Sequence, residues 1–158
     1  MTMHSDTTAT FLLVVIGGQR VALNTALIRE ILDPLPETRV PSARPFAATV
    51  VNVRGTVVPL ITVNHMLNLA PSERTPKTRF VLLSVSGPRP EPLQVALLAD
   101  AVLTVVSIPT SRIEPLARIS HNWPADLLTG IYRDDEVFVI VPDMELILSR
   151  NLAKRGEA

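Results

Sequence analysis

The stretch VVNVRGTVVPLITVNHML, Val50 to Leu67, recurs in looser form as LLTGIYRDDEVFVIVPDMELIL, Leu127 to Leu148. Each copy reads as strand, tight turn, strand and short helix. In the first, Val50 to Val53 is a β-branched run, Arg54-Gly55 supplies a turn with one permissive residue, and Val57 to Val63 is a second apolar strand. In the second, Gly130 to Tyr132 leads to a polar turn at Arg133-Asp134-Asp135, Val137 to Val141 is a fully apolar strand, and Pro142-Asp143 opens a helix. Self-similarity at about half the chain length predicts two paired units that bury a shared core.

The rest of the chain supports many short strands. Phe11 to Ile16, Gly17-Gly18 and Arg20 to Leu23 read as a hairpin with a Gly-Gly turn. Asn24-Thr25 caps a short helix that runs into a strand at Glu30 to Leu32. Asp33 to Pro45 carries four prolines, which break ladders and favour an extended loop. Strands follow at Arg79 to Val85, Leu93 to Ala99 and Ala101 to Ile108, separated by the turn GPRPEP from Gly87 to Pro92. Pro109 to Pro124 is irregular. Residues 1–10 and 151–158 are polar tails, disordered in the case of the first, and Pro71 with Pro76 makes residues 70–78 the natural boundary between lobes of a single domain spanning 11–150. About ten short strands with little helix favour small barrels over a sandwich.

Composition excludes several classes of function. With 47% hydrophobic residues in 158, the chain can bury roughly two-thirds of its unfolded surface. Formal net charge is zero, so nothing draws the molecule to nucleic acid or anionic lipid. No cysteine is present, which removes disulfides, thiolate catalysis and thiolate-bound metal, and fits a reducing cytoplasm. The apolar run Phe11 to Ile16 is too short for export or membrane insertion. His4 lies in a tail, His65 on a short helix and His121 in a loop, with no two at metal-ligand spacing. Asp134, Asp135 and Glu136 cluster on a hairpin tip, where carboxylates are ordinarily solvated. The six glycines never form a phosphate loop. No cofactor, metal or catalytic residue is expected.

Asn52, Val53, Arg54 and Gly55, followed by Val58-Pro59, resemble a motif of the CheW-like domain of bacterial chemosensory scaffolds. Similarity extends to Ile28-Arg29-Glu30-Ile31, to the apolar run ending in Asp100, and to Leu128-Thr129-Gly130 with the strand and helix beyond, covering about Phe11 to Leu148. The resemblance implies a mainly β fold of two packed five-stranded barrels with short helices, and a non-enzymatic adaptor coupling chemoreceptors to the histidine kinase CheA. Its partners would be the CheA regulatory domain and a methyl-accepting chemoreceptor tip. In the family the acid at Glu30 pairs with Arg54 and positions a groove between lobes, and Ile28 and Val102 match groove positions. Read from pattern alone, Arg54 is a solvated turn residue and Ile28, Val50 and Val102 are ordinary core residues. The resemblance reverses that preference and makes Ile28, Glu30, Val50, Arg54 and Val102 the expected receptor- and kinase-binding set.

Three positions depart from the family pattern. Thr49 stands near the place of a usual Gly, Thr62 at that of an acid and Asn64 at that of a basic residue. Service in an auxiliary chemosensory system, such as one controlling type IV pili or cyclic-dinucleotide output, fits these departures. Two other readings of the residues stay open: a small ligand-binding or hydrolytic double barrel using His121 and an Asp, and an array subunit without kinase contact.

Overall fold

The computed structural model describes residues 7–41, 48–86, 90–116 and 122–153. Among the described residues twelve strands form two sheets of six, with one α-helix and three fully described 3-10 turns. In chain order the strands are β1 (Thr8–Ile16), β2 (Gln19–Asn24), β3 (Ile28–Leu32), β4 (Glu37–Arg39), β5 (Thr49–Val53), β6 (Thr56–Ile61), β7 (Arg79–Val85), β8 (Leu93–Ala99), β9 (Ala101–Pro109), β10 (Ile113–Glu114), β11 (Leu128–Asp134) and β12 (Val137–Pro142). The helix α1 is Met144–Ala153. One sheet runs β3-β7-β8-β6-β5-β4 and the other β10-β11-β12-β2-β1-β9. In each, five longer strands are extended by a short edge strand, β4 or β10. The fold is mainly β, with two barrel-like lobes.

The chain changes lobe twice, at the 3-10 turn Thr25–Leu27 and at Asp100. Residues 70–78, expected as the boundary, instead connect β6 to β7 within one lobe. Their prolines interrupt a strand pattern, which a loop inside a sheet requires as much as a lobe boundary does. The N-terminal hairpin β1–β2 therefore completes the lobe whose other strands come from the C-terminal third, through the parallel pairing of β12 with β2 at Val139↔Arg20 and Ile140↔Val21. The parallel pair β6–β8, at Leu60↔Ala96 and Ile61↔Leu97, is its counterpart. Strand for strand, β9-β10-β11-β12-β1-β2 correspond in sheet order to β3-β4-β5-β6-β7-β8. The internal repeat thus encompasses both whole lobes, one of them circularly permuted.

Three apolar clusters follow from this arrangement. Val51, Val53, Val58, Leu60, Phe80, Leu82, Ala96 and Leu98 fill one lobe. Phe11, Leu13, Ala22, Ile108, Val139 and Val141 fill the other. The third and largest is shared: Val14, Val21 and Leu23 of one lobe cluster with Ile61, Leu83, Val95 and Leu97 of the other and with Met144, Ile147 and Leu148 of α1. Strands β1, β2, β7 and β8 are apolar on both faces because one face lines a lobe and the other lines the seam.

Several sequence expectations shift at their edges. Residues 8–10, read as tail, belong to β1, where Thr8, Ala9 and Thr10 pair with Pro109, Ile108 and Ser107. The expected short helix after β6 is a series of turns at residues 64–68 carrying His65. Leu67 N–H still reaches the Val63 carbonyl at 2.9 Å, but Asn68 at φ +59° ends the run. In the second copy the helix forms, its first turn capped by Asp143 Oδ1 accepting from Leu146 N–H at 3.1 Å. The hairpin turn there is two residues, Asp135-Glu136, between Asp134 and Val137. The Pro-rich and irregular loops also contribute β4 and β10, which raises the strand count to twelve. His4, His121, Pro45 and residues 87–89 of the GPRPEP turn lie outside the described residues.

Candidate functional site

Arg54 and Gly55 occupy the two central positions of the β5–β6 hairpin with φ of +49° and +88°, the primed turn that matches strand twist. A positive φ is unfavourable for Arg, and the turn is held locally by Asn52 Oδ1, which accepts from Gly55 N–H at 2.7 Å. The guanidinium is thereby presented to β3, where Nη1 and Nη2 donate to the two Glu30 carboxylate oxygens at 3.1 and 2.6 Å. This bidentate geometry fixes direction as well as distance. The pair is open to water, at 66% and 38% side-chain exposure, so its contribution to folding is small and its consequence is geometric.

The hydrogen bonds from Arg54 hold the Glu30 carboxyl below the ordinary glutamate range, and Glu30 in turn holds the Arg54 guanidinium more firmly protonated. A depressed folded-state pKa means that the pairing is complete above the ordinary glutamate value and is lost as pH falls through the lowered one. At neutral pH it is fully formed. Carbon-detected NMR titration of Glu30 should give a midpoint below the unperturbed value of about 4.3, and Arg54→Ala should return it to that range. Equal midpoints in the two proteins would contradict the pairing.

Ile28 and Val102 hold equivalent places in the two lobes. Ile28 opens β3 opposite Leu83; Val102 lies at the start of β9 opposite Val14. In each strand the next residue, Arg29 or Leu103, is left out of the pairing as a bulge, and the positions after it are equivalent in turn: Glu30 to Thr104, Ile31 to Val105, Leu32 to Val106. Both Ile28 and Val102 are half-buried against the shared cluster. The symmetry ends with charge, since Glu30 corresponds to Thr104 and Arg54 to Asp135, which also has a positive φ of +56°. Among the described residues an ion-pair clamp of this kind is therefore found in one lobe only. Beside Ile28, an open pocket of about 430 Å³ lies between Arg29 of β3 and Glu145 of α1, lined further by Leu27, Ser84 and Pro92.

Val50 stands apart from these residues. It is half-buried on the outer face of β5, opposite Pro59 on β6 and Thr38 on β4, and belongs to none of the three clusters. Sequence reasoning missed the exposed apolar side chains on the edge strands. Leu103 and Val105 on β9 are 44% and 58% exposed and Ile31 on β3 is 44% exposed. The run AVLTVVSIP has no alternation to separate an outward face from an inward one.

The departures from the motif also acquire local explanations. Asn64 is buried, its Nδ2 donating to the Ala70 carbonyl and Ser72 Oγ at 2.7 and 2.9 Å. It closes a loop and is not a surface contact. Thr49 pairs in register with Leu60 and Arg39, and its counterpart Gly130 has no space for a side chain, because a Cβ would stand 2.5 Å from the Glu114 carbonyl oxygen. Thr62 is exposed. Among the described residues no group of three His, Asp or Glu is close enough to hold a metal ion, and no helix is long and apolar enough to cross a membrane.

Comparison with known proteins agrees with this architecture. A family model described as CheW-like domain matches residues 10–152. The probable chemotaxis protein CheW of Rhizobium etli is 28% identical over 134 residues, covering 85% of this chain and 83% of that protein. Chemotaxis protein CheW of Bacillus subtilis is 27% identical over 114 residues, 72% and 70% of the respective chains. The crystal structure of the scaffolding protein TtCheW from Thermoanaerobacter tengcongensis matches the fold with a TM-score of 0.77 at 18% identity, covering 96% of this chain and 94% of that one. With a family match over nearly its whole length and two lobes of the corresponding fold, the chain belongs to the CheW-like domain family.

Proposed function

We propose that this protein is a cytoplasmic, non-enzymatic scaffold that couples chemoreceptors to the regulatory domain of the histidine kinase CheA. The observation that supports it most is the one-sided clamp of Arg54 on Glu30 beside Ile28, at the edge of a lobe seam whose equivalent edge carries Val102. An apolar strip bordered by an oriented ion pair suits the docking of a helical receptor tip, which would cover Ile28 and Val102 and be directed by the charged pair. Val50, on a different face of the same lobe, suits a separate contact with the kinase. Membership in the CheW-like family supports both partners. No catalytic residue or cofactor enters this reading, and Thr62 on the surface is the motif departure best placed to alter partner choice, in line with service to an auxiliary chemosensory system.

Calorimetric titration with a cognate CheA regulatory domain should give a dissociation constant in the micromolar range, as expected of a transient signalling contact of small area. The absence of heat and of any sedimentation shift at about a hundred micromolar would reject the kinase contact.

A further inference from the structure

The lobes are joined at a polar junction as well as by their shared core. Where the chain passes from β8 to β9, Asp100 N–H donates to the Val15 carbonyl at 2.7 Å, prolonging the β1–β9 ladder, and Asp100 Oδ2 accepts from Gly17 N–H at 2.8 Å. One residue thereby holds both the end of β1 and the turn that follows it. That turn is seated closely on the opposite lobe: Gly17 has φ +58°, and a Cβ there would overlap the Ala70 carbonyl oxygen. The Ala70 carbonyl accepts in turn from Asn64 Nδ2, within the loop that follows β6. Among the described residues Asp100 Oδ1 is buried with no hydrogen-bond partner, which is uncommon for a buried polar atom. Arg74, paired chiefly with Glu37, is also held charged in part by Asp100.

This junction lies two residues before Val102. Because Asp100 anchors the first residues of β9 to β1 and the Gly17 turn is wedged against Ala70, the same contacts that join the lobes set where Val102 stands relative to Ile28. We infer that Asp100 is a positioning residue for partner docking: its grip on the Gly17 turn sets the spacing of the two edge strands that carry Ile28 and Val102. The inference rests on the groove reading proposed above. Asp100 touches no partner in this account, and acts through the position of β9.

The chain has no cysteine, so two introduced ones, at the exposed positions Arg29 on β3 and Ser107 on β9, can carry spin labels without background. The distance between the labels is expected to be single and narrow in the parent protein, to broaden or move in Asp100→Ala, and to return in Asp100→Asn, which keeps an acceptor for Gly17 N–H and places an amide donor where Oδ1 is unpartnered. Co-sedimentation with a receptor cytoplasmic hairpin fragment should weaken about tenfold in Asp100→Ala and stay within about twofold in Asp100→Asn. If the alanine protein does not fold, Asp100→Ser, too short to reach Gly17 in the same way, replaces it. An unchanged label distance in the alanine or serine protein overturns the inference and leaves the groove reading intact. A changed distance with unchanged receptor binding overturns it through the groove, a result that Ile28→Glu would then repeat by leaving binding intact.

Discussion

Leu97→Asp should abolish cooperative folding of both lobes together. Leu97 is fully buried in β8, pairs with Ile61, and belongs to the cluster that contains residues of both sheets and of α1. A carboxylate there has no partner, and an uncompensated buried charge costs about 3–5 kcal/mol, comparable to the lower end of a domain's whole stability of about 5–15 kcal/mol. Circular dichroism should show no cooperative melt, and the near-ultraviolet signal of Tyr132, which packs against the core of the other lobe, should disappear together with that of Trp123, which packs against the shared cluster. Phe80→Ala, inside one lobe only, costs about 3–5 kcal/mol by cavity formation and should lower a single melting transition. Two separate transitions in either variant would mean that the seam does not unite the lobes.

The sequence carried the repeat legibly because β5–β6 and β11–β12 are hairpins, whose turns and alternation are local. It did not carry the permutation. Pairing of β12 with β2 joins residues at opposite ends of the chain, and nothing near Arg20 or Val139 specifies it beyond apolar side chains on both faces. Pro71 and Pro76 were visible as interruptions, but whether an interruption parts two lobes or two strands of one sheet depends on what pairs across it. Here Thr75 and Thr78 close the loop, with Thr75 N–H donating to Thr78 Oγ1 at 2.8 Å, and Arg74 binds Glu37 bidentately at 3.0 and 2.7 Å. The equivalence of Ile28 with Val102 was likewise hidden. It rests on two matching bulges, at Arg29 and Leu103, and a bulge is a property of the register between strands, not of one strand's residues. The Glu30–Arg54 pair was reached through family resemblance; 24 residues apart and on different strands, the two have no spacing that would announce them.

Ile28→Glu should abolish receptor association while the fold stands. Ile28 is half-buried at the start of an edge strand, so a longer carboxylate can turn its charge outward to water in the free protein. Under a docked apolar helix that escape closes, and the carboxylate would be desolvated without a partner. Its closeness in sequence to Glu30 adds a second negative charge beside the Arg54 clamp. Val102→Glu, the equivalent change on the other lobe, should have the same effect, because the proposed receptor tip would cover both residues. Melting separates a docking role from a packing role: if the two residues only pack, each variant loses stability, whereas if they dock a partner each loses binding with its stability kept.

Coupling through the Ile28 and Val102 edges is decided by co-sedimentation of the parent protein, Ile28→Glu and Val102→Glu with receptor-containing membranes and CheA, beside thermal melts of each. Both variants should melt cooperatively and remain in the supernatant while the parent protein sediments. Well-folded variants that still sediment with receptor and kinase would contradict that coupling.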